Sequence, residues 1–214
     1  MASRSHTARR WLSFAVMGVA GAAMLTVVGC VRTSGETWYF KSASLPEGWP
    51  TLTAVDVVEV KAYPTYRAAS IDAQSAGGGM NPMFMSLFKH ISSNDIAMTA
   101  PVDMGYAGAD DTTMTSMAFL YRTTNIGATG QDGEILIEDI GPQTFASVGV
   151  RGDYTNANFD KGMRRIEDWL AGQSEWQADG SPRYLGYNGP FVPSFWKYGE
   201  VQIPVSKGET LADK

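Results

Sequence analysis

The chain is poor in the side chains that most enzymes and metal sites use. It has 214 residues but one cysteine, Cys30, which excludes a disulfide framework or a thiolate metal cluster within one chain. It has two histidines, and only His90 lies beyond Cys30. No H-E-x-x-H motif occurs, and the glycines at 77–79 fit neither phosphate-binding motif. We therefore expect a binding protein rather than an enzyme.

Basic residues are also scarce, with 17 Lys and Arg against 22 Asp and Glu. Three of them, Arg4, Arg9 and Arg10, lie in the segment 1–29, which contains no acidic residue. The segment 30–214 therefore holds 14 basic and 22 acidic side chains, so its formal charge is -8, against -5 for the whole chain. A protein that binds phosphate backbones needs the opposite excess, so nucleic acid is not an expected partner.

The segment 1–29 has the pattern of an export signal. A positive start is followed by an uncharged apolar run over 11–28. The run ends in Val27-Val28-Gly29-Cys30, which resembles a bacterial lipobox, whose cysteine is acylated and becomes the first mature residue. This predicts a lipoprotein signal peptide at 1–29 and an exported protein, anchored by lipid on Cys30 at the periplasmic or cell-surface face of a membrane. A transmembrane anchor over 11–28 and a twin-arginine signal stay open as alternatives.

The mature chain divides by composition and hydrophobic periodicity. Residues 30–52 are mixed and poorly periodic, with Ser, Gly and Pro, which indicates a tether. Residues 53–205 contain the periodic segments, and 206–214 form a short C-terminal tail. The content of 44% hydrophobic and 11% aromatic residues is enough for the core of one folded domain.

The domain contains one pattern twice. An extended stretch with a proline break, at Pro64 and again at Pro142, precedes a helix and further strands. Helical spacing predicts two buried helix faces: Phe84, Leu87, Phe88 and Ile91 in the first, and Phe159, Met163, Ile166 and Leu170 in the second. The pattern predicts an α+β fold made of a duplicated strand-helix-strand-strand unit, with two helices on a curved antiparallel sheet or open barrel.

Separated blocks of sequence point to a known family. They are Val58-Glu59-Val60-Lys61-Ala62-Tyr63-Pro64, the apolar helix at 84–91, Ile96-Ala97-Met98-Thr99-Ala100-Pro101-Val102, and Tyr187-Asn188-Gly189-Pro190-Phe191-Val192-Pro193 followed by Glu200-Val201-Gln202-Ile203-Pro204. Together these blocks resemble the SOUL haem-binding protein family over residues 53–205. The resemblance implies a distorted eight-stranded antiparallel barrel with two helices. It also implies reversible, non-covalent binding of haem or a related tetrapyrrole in a shallow apolar cleft beside the first helix.

The candidate iron ligands lie on the first helix. On a helical wheel Met83, Leu87 and His90 form one flank, and a haem on that flank could take His90 or Met83 as its axial ligand. The other reading of His90 is a half-exposed helix histidine without iron contact. The histidine outside the helix that some SOUL members are proposed to use has no counterpart in the mature chain. The family's Arg-Asn-Glu before the last strand is also absent, since Lys197-Tyr198-Gly199-Glu200 stands there.

Candidates for the rest of the site come from charge and aromatic content. Lys89, with Arg67 and Lys197, is a candidate partner for anionic propionates, or an ordinary surface charge. Phe195 and Trp196, with Phe191 and Tyr198, are candidates for stacking on the macrocycle, or for covering the open end of the barrel. Seven methionines fall between residues 80 and 117, a density that suits an adaptable apolar pocket or core. Thioether binding of Cu(I) is a further reading.

The predicted function is a membrane-anchored protein that binds haem or a related tetrapyrrole and carries or buffers it. A first alternative is a small-molecule effector-binding module of the gyrase-inhibitor-like type, which requires Glu59 or Glu138 to point inward. A second alternative is a tetrapyrrole-modifying enzyme with a carboxylate near the cleft, for which Asp95 and Asp103 are candidates.

Overall fold

The computed structural model describes residues 31–34 and 37–208, so the predicted signal peptide, Cys30 and residues 209–214 lie outside it. The described chain has two α-helices, α1 (Met80–Ser93) and α2 (Asn156–Ala171). Its strands, in chain order, are β1 (Val31–Ser34), β2 (Thr37–Phe40), β3 (Val58–Tyr63), β4 (Tyr66–Asp72), β5 (Val102–Tyr106), β6 (Met114–Leu120), β7 (Gly130–Asp132), β8 (Ile135–Ile140), β9 (Gln143–Arg151), β10 (Trp176–Ala178), β11 (Arg183–Gly186) and β12 (Tyr198–Lys207). No helix within this part is both long and apolar enough to cross a membrane.

The strands β3 to β12 form one antiparallel sheet, in the order β3-β9-β12-β11-β5-β6-β4-β8-β7 with β10 beside β12, while β1 and β2 form a separate hairpin. From β3 to β8 each strand has a counterpart in the other half of the chain: β3 corresponds to β8, β4 to β9, β5 to β11 and β6 to β12. Replacing every strand by its counterpart gives the same order read from the other end. The two halves are therefore related by a pseudo-two-fold axis. The predicted α+β class and duplication are confirmed, and each extended stretch with a proline break proves to be two strands.

The sheet curls without closing. β3 and β4 stand six positions apart in the sheet, which in a flat sheet would be about 29 Å. The chain from Tyr63 to Tyr66 spans at most roughly 11 Å, so the two strands can be joined only if the sheet bends back on itself. The link from β8 to β9 across Pro142 imposes the same condition. The expected eight-stranded barrel is thus an open, curled sheet of ten strands, with β3 and β7 at its edges.

Both helices cover one face of the sheet. α1 contacts β4 and β6, α2 contacts β9 and β12, and the two helices share one hydrophobic core. The buried side chains of α1 are Met83, Leu87, His90 and Ile91. The predicted face of α1 was therefore rotated from the observed one, since Phe88 is 45% exposed and His90 is buried with polar partners. In α2 the predicted Phe159, Met163 and Ile166 are buried.

Gly162 sets the closest approach of α2 to the sheet. A Cβ atom on Gly162 would lie 2.6 Å from Cβ of Val201 in β12, which is closer than real contacts allow. Glycine therefore lets the helix backbone rest directly on the strand. Thr155 caps the start of α2, because its side-chain oxygen accepts a hydrogen bond from the Asn158 backbone N–H.

The other face of the sheet holds a buried polar network around Glu200 of β12, whose side chain is fully buried. The Lys61 ammonium lies 2.9 Å from Oε1, and the Thr53 backbone N–H donates to the same oxygen at 2.6 Å. Gln202 Nε2 and the Tyr187 hydroxyl donate to Oε2 at 2.9 and 3.1 Å. Burial raises the pKa of Glu200, but Lys61 and the hydrogen bonds outweigh burial, and the net pKa is lowered.

The segment expected to be a tether is ordered on this face from Thr37 onward. Tyr39 and Leu52 are buried there, and Thr53 is held by Glu200 and by the Ser147 hydroxyl at 2.9 Å. Residues 37–57 therefore cover the polar network and belong to the folded domain. Composition suggested a tether because this segment buries its apolar side chains without a regular period.

Removing the cation of the buried pair tests the network. We expect Lys61→Met to lower the free energy of unfolding by about 3–5 kcal/mol, because it leaves the Glu200 carboxylate buried without its ammonium partner. Urea unfolding measures the loss, and Lys89→Met on the exposed face of α1 is the matched control. Equal midpoints for the two variants would contradict this role.

Because of the same network, we expect the free energy of unfolding of the wild type to fall at acid pH. Because the folded pKa of Glu200 is lowered, its contribution is complete above the unfolded carboxyl value of about 4.3 and is lost as the pH falls through the lower folded value. Urea midpoints measured at a series of pH values should therefore decline over that acid range. Midpoints that stay level there would show that the carboxylate adds no stability.

Candidate functional site

A cavity of about 380 Å³ opens at the N-terminal end of α1. It lies between the first turns of α1, strands β5 and β6, the loop after β11, and the N-terminal segment that covers the opposite face. Its lining residues are Ser42, Ala43, Met80, Asn81, Phe84, Met98, Thr99, Ala100, Val102, Met104, Met117, Tyr154, Gly186, Tyr187, Asn188, Gly189, Pro190 and Lys197. An apolar cleft of this size with a few polar groups is typical of a small-molecule site.

Methionines and one aromatic ring form the apolar part of the cavity. Met104 and Met117 are buried beneath it, whereas Met80 and Met98 are half-buried nearer the opening. Phe84, one turn after Met80, packs edge-on against Phe119 with ring centroids 5.1 Å apart. The flexible, polarisable thioether side chains can adapt to a flat apolar ligand.

Gly186 leaves room where β11 meets the cavity. A Cβ atom there would lie 3.0 Å from a ring carbon of Tyr154 and 3.3 Å from the terminal methyl of Met104. A larger residue would therefore displace two lining side chains.

Polar groups lie along one rim. The Asn188 backbone N–H donates to the Tyr154 hydroxyl at 2.7 Å, and its side-chain oxygen accepts from the Tyr198 N–H at 2.8 Å. The Lys197 ammonium lies 2.7 Å from Oδ1 of Asp153, and hydrogen bonds from Lys197 and Ser194 lower the pKa of that carboxyl. Burial raises the pKa of Tyr154, so its phenol stays protonated near neutral pH. The rim thus presents one cation, Lys197, to an anionic group, while the Asn188 side chain is bonded to Phe40, Ser42 and Tyr198.

The predicted helix ligands lie elsewhere. Met83 and Leu87 are fully buried in the core and do not line the cavity. His90 is also outside the cavity. Its Nδ1 lies 2.7 Å from Oδ2 of Asp132, and its Nε2 lies 2.8 Å from the Tyr121 hydroxyl. Both ring nitrogens are therefore engaged in holding α1 to its neighbours. The assignment of His90 as an iron ligand stays a prediction, and this geometry disfavours it.

Of the predicted propionate partners, only Lys197 lines the cavity. Lys89 is exposed on α1. Arg67 is buried and pairs with Asp139 at 2.7 Å, and it also donates to the carbonyl of Gly127 at 2.7 Å. Phe195 and Trp196 occupy the 3-10 turn just before Lys197, with 69% and 43% exposure, outside the cavity lining. They stand directly before Lys197 in the chain, and their stacking on a macrocycle stays a prediction.

The residues required by the alternative functions are not on this cavity. Glu59 and Glu138 are both exposed, so the inward glutamate of an effector-binding module is not at either position. Asp103 pairs with the buried Arg183 at 2.9 Å in a separate polar concavity beside Tyr66. Burial raises the pKa of Asp103 although Arg183 opposes it. Asp95 is exposed in the turn after α1.

Several residues that line the cavity were not named as site residues, although their spacing in the sequence indicates a shared face. Met80 and Phe84 stand four apart on one helix face, and Val102 and Met104 alternate on one strand face. Asn188 carried no such signal, because its contacts come from β2, the loop before α2, and β12.

The comparison with known families decides the classification. The sequence profile of the SOUL haem-binding protein family matches residues 49–204. The chain belongs to the SOUL haem-binding protein family. The match confirms the predicted class of cofactor, haem or a related tetrapyrrole bound non-covalently. No match was found among proteins with curated functions.

Solved structures resemble the SOUL domain in fold. The crystal structure of the EcmrR C-terminal domain is 18% identical, with a TM-score of 0.51, and covers 71% of this chain and 98% of that chain. A hydrolase encoded by lin2189 from Listeria innocua is 7% identical, with a TM-score of 0.54, over 71% and 93% of the two chains. At these identities the likeness shows a shared fold and nothing further.

A substitution that fills the cavity with a larger side chain tests directly whether the cavity is the binding site. We expect the wild type to bind an apolar fluorescent probe at one saturable site, and Val102→Trp to weaken that binding at least about tenfold by occupying the space. The matched control is Val57→Trp at an exposed valine away from the cavity. Probe titration is compared between variants with equal thermal unfolding. Equal affinity in the two variants would remove the cavity as the binding site.

Proposed function

We propose that the SOUL domain binds haem or a related tetrapyrrole in the cavity at the N-terminal end of α1, and that the protein carries or buffers this ligand at a membrane. The observation that carries the proposal is the combination of a methionine-lined apolar cavity with a lysine and an asparagine on one rim. A tetrapyrrole has the matching shape and charge, a flat apolar macrocycle with anionic propionates at one edge.

The donor set fits the ligand in two respects. Met80 and Met98 are half-buried thioethers on the lining, and thioethers are known axial ligands of haem iron. Lys197 supplies an ammonium for a propionate oxygen, while the Asn188 side chain holds this rim together through Phe40, Ser42 and Tyr198. The bound iron would supply redox and ligand-binding chemistry, while the described side chains hold and orient the macrocycle.

Reversible carriage fits the site better than turnover. The Tyr154 phenol is held by backbone groups of residues 188 and 198, and its raised pKa keeps it protonated and makes it a weak proton donor. The carboxylate at the rim, Asp153, is engaged by Lys197 and Ser194. A tetrapyrrole-modifying reaction would need one of these groups to be released first.

A haem titration tests the proposed ligand. We expect a Soret absorbance change that saturates at one haem per chain, and a metal-free porphyrin should bind too, because burial of the macrocycle supplies most of the affinity. Val102→Trp should lose this binding and Val57→Trp should keep it.

Two further variants separate the roles of single side chains. Lys197→Gln should weaken binding roughly three- to tenfold relative to the exposed control Lys89→Gln. His90→Gln should leave the Soret maximum unchanged, because both imidazole nitrogens are already hydrogen-bonded. Absence of saturable binding by haem and by porphyrin would refute the function and favour the effector-binding alternative.

The membrane part of the proposal rests on the lipobox-like end of the apolar run at Val27-Val28-Gly29-Cys30. Acylation of the cysteine after cleavage would place the domain on the periplasmic or cell-surface face. The charge of -8 in the mature chain gives no electrostatic reason to bind anionic lipid, so the anchor itself would provide the attachment.

Substitution of the cysteine tests the anchor. We expect Cys30→Ser to abolish incorporation of labelled palmitate and to leave the signal peptide uncleaved, because the lipid-accepting thiol is lost. Mass and label are measured on protein expressed in a bacterial host. Label incorporation by Cys30→Ser, or none by the wild type, would rule out lipidation at this residue.

A further inference from the structure

Large apolar side chains lie exposed around the cavity mouth. Phe191 is 98% exposed, Phe195 69%, Trp196 43% and Trp38 41%. We call these four residues the aromatic rim. Soluble proteins seldom leave several large rings uncovered in one region unless the region contacts a partner or a lipid surface.

A chain of contacts links Trp38 to the part of the rim that lies in the 3-10 turn. The guanidinium of Arg151 lies 3.8 Å from the ring of Trp38, and the next residue, Gly152, donates its backbone N–H to the Lys197 carbonyl at 3.2 Å. Trp196 directly precedes Lys197, and its ring lies 5.4 Å from that of Phe195. Arg151 and Gly152 therefore link Trp38 of β2 to Lys197, which follows the 3-10 turn and lines the cavity.

Strand β1, which directly follows Cys30 in sequence, lies at this edge of the cavity. Cys30 is bonded to Val31, and Val31 stands opposite Phe40 in the hairpin of β1 and β2. The Phe40 carbonyl accepts a hydrogen bond from Nδ2 of Asn188, which lines the cavity. With about 4.8 Å between paired strands, Val31, the residue after Cys30 in sequence, lies next to Phe40 and so close to Asn188.

We propose that the aromatic rim rests in the bilayer surface to which the lipid on Cys30 holds the protein, so that the cavity opens towards the lipid and exchanges tetrapyrrole with it directly. This inference rests on the proposed lipid anchor. Tryptophan and phenylalanine rings insert favourably at the boundary between head groups and acyl chains. The acidic mature chain indicates that the contact is apolar and does not need anionic lipid.

The arrangement also accounts for the position of the rim cation. Lys197 follows Trp196 and lines the cavity, so its ammonium would lie at head-group depth beside the opening. A tetrapyrrole at a bilayer surface has its macrocycle among the acyl chains and its propionates near the water. It could pass from lipid to cavity without exposing the macrocycle to solvent.

Fluorescence quenching tests the contact without any tetrapyrrole. The acylated full-length protein is reconstituted in phosphatidylcholine vesicles whose acyl chains carry bromine, which quenches tryptophan at the bilayer surface. We expect quenching in the wild type and loss of most of it in the double variant Trp38→Phe/Trp196→Phe. The matched control is Trp176→Phe, since Trp176 lies in β10 beside Lys207 and away from the rim. Equal quenching in the double variant and the control would overturn the inference.

Two controls separate the failure of this inference from failure of the proposed function. Protein that does not float with the vesicles lacks the anchor, whereas protein that floats without quenching has its anchor but no contact of the rim. In addition, Phe191→Ser should slow haem transfer from vesicles to the protein while leaving haem affinity in detergent unchanged, because Phe191 is 98% exposed and outside the cavity lining. An unchanged transfer rate would contradict the proposed route, even if haem binds.

Discussion

The buried carboxylate of Glu200 is the interaction on which the cavity side of the molecule depends. It binds Thr53 of the N-terminal segment, Lys61 of β3 and Tyr187 after β11, which belong to three different segments of the chain. Tyr187 lines the cavity, and the segment that carries Thr53 also supplies Ser42 and Ala43. A buried, unpaired carboxylate is costly, so the network forces these segments to one place.

The curled sheet explains why one end of α1 becomes a binding site. The pseudo-two-fold exchange places α1 and α2 on the same face, yet the helices approach the sheet differently. Gly162 lets α2 rest directly on Val201 in β12. The first turn of α1 instead borders a cavity with Met80, Phe84 and Met104 on its walls. A nearly symmetric fold thus carries an apolar cavity at the N-terminal end of α1.

Sequence patterns predicted the parts of the structure that depend on local order. The proline breaks at Pro64 and Pro142 disclosed the duplication, and the period of α2 indicated its buried face. Separated sequence blocks led to the family. They predicted a curved sheet or open barrel, but not the strand order through which the short links at Pro64 and Pro142 require the sheet to curl.

The site residues show where sequence reasoning failed. His90 looked available on the wheel, but Tyr121 and Asp132, which are distant in sequence, take both its nitrogens. Lys197 was named as a propionate partner together with Lys89 and Arg67, neither of which lines the cavity, and Asn188 appeared only within a family sequence block. Both acquire their role from contacts between the loop after β11 and distant segments, which no periodicity encodes.

The central claim is that the tetrapyrrole lies among the cavity methionines, and methyl-labelled methionine NMR tests it most directly. A diamagnetic metal-free porphyrin shifts nearby methyl resonances through its ring current. The account predicts large shifts for Met80, Met98, Met104 and Met117, which line the cavity, and small ones for Met85 on the exposed face of α1. Large shifts of Met85 with unchanged cavity methionines, or no shifts at saturation, would contradict it.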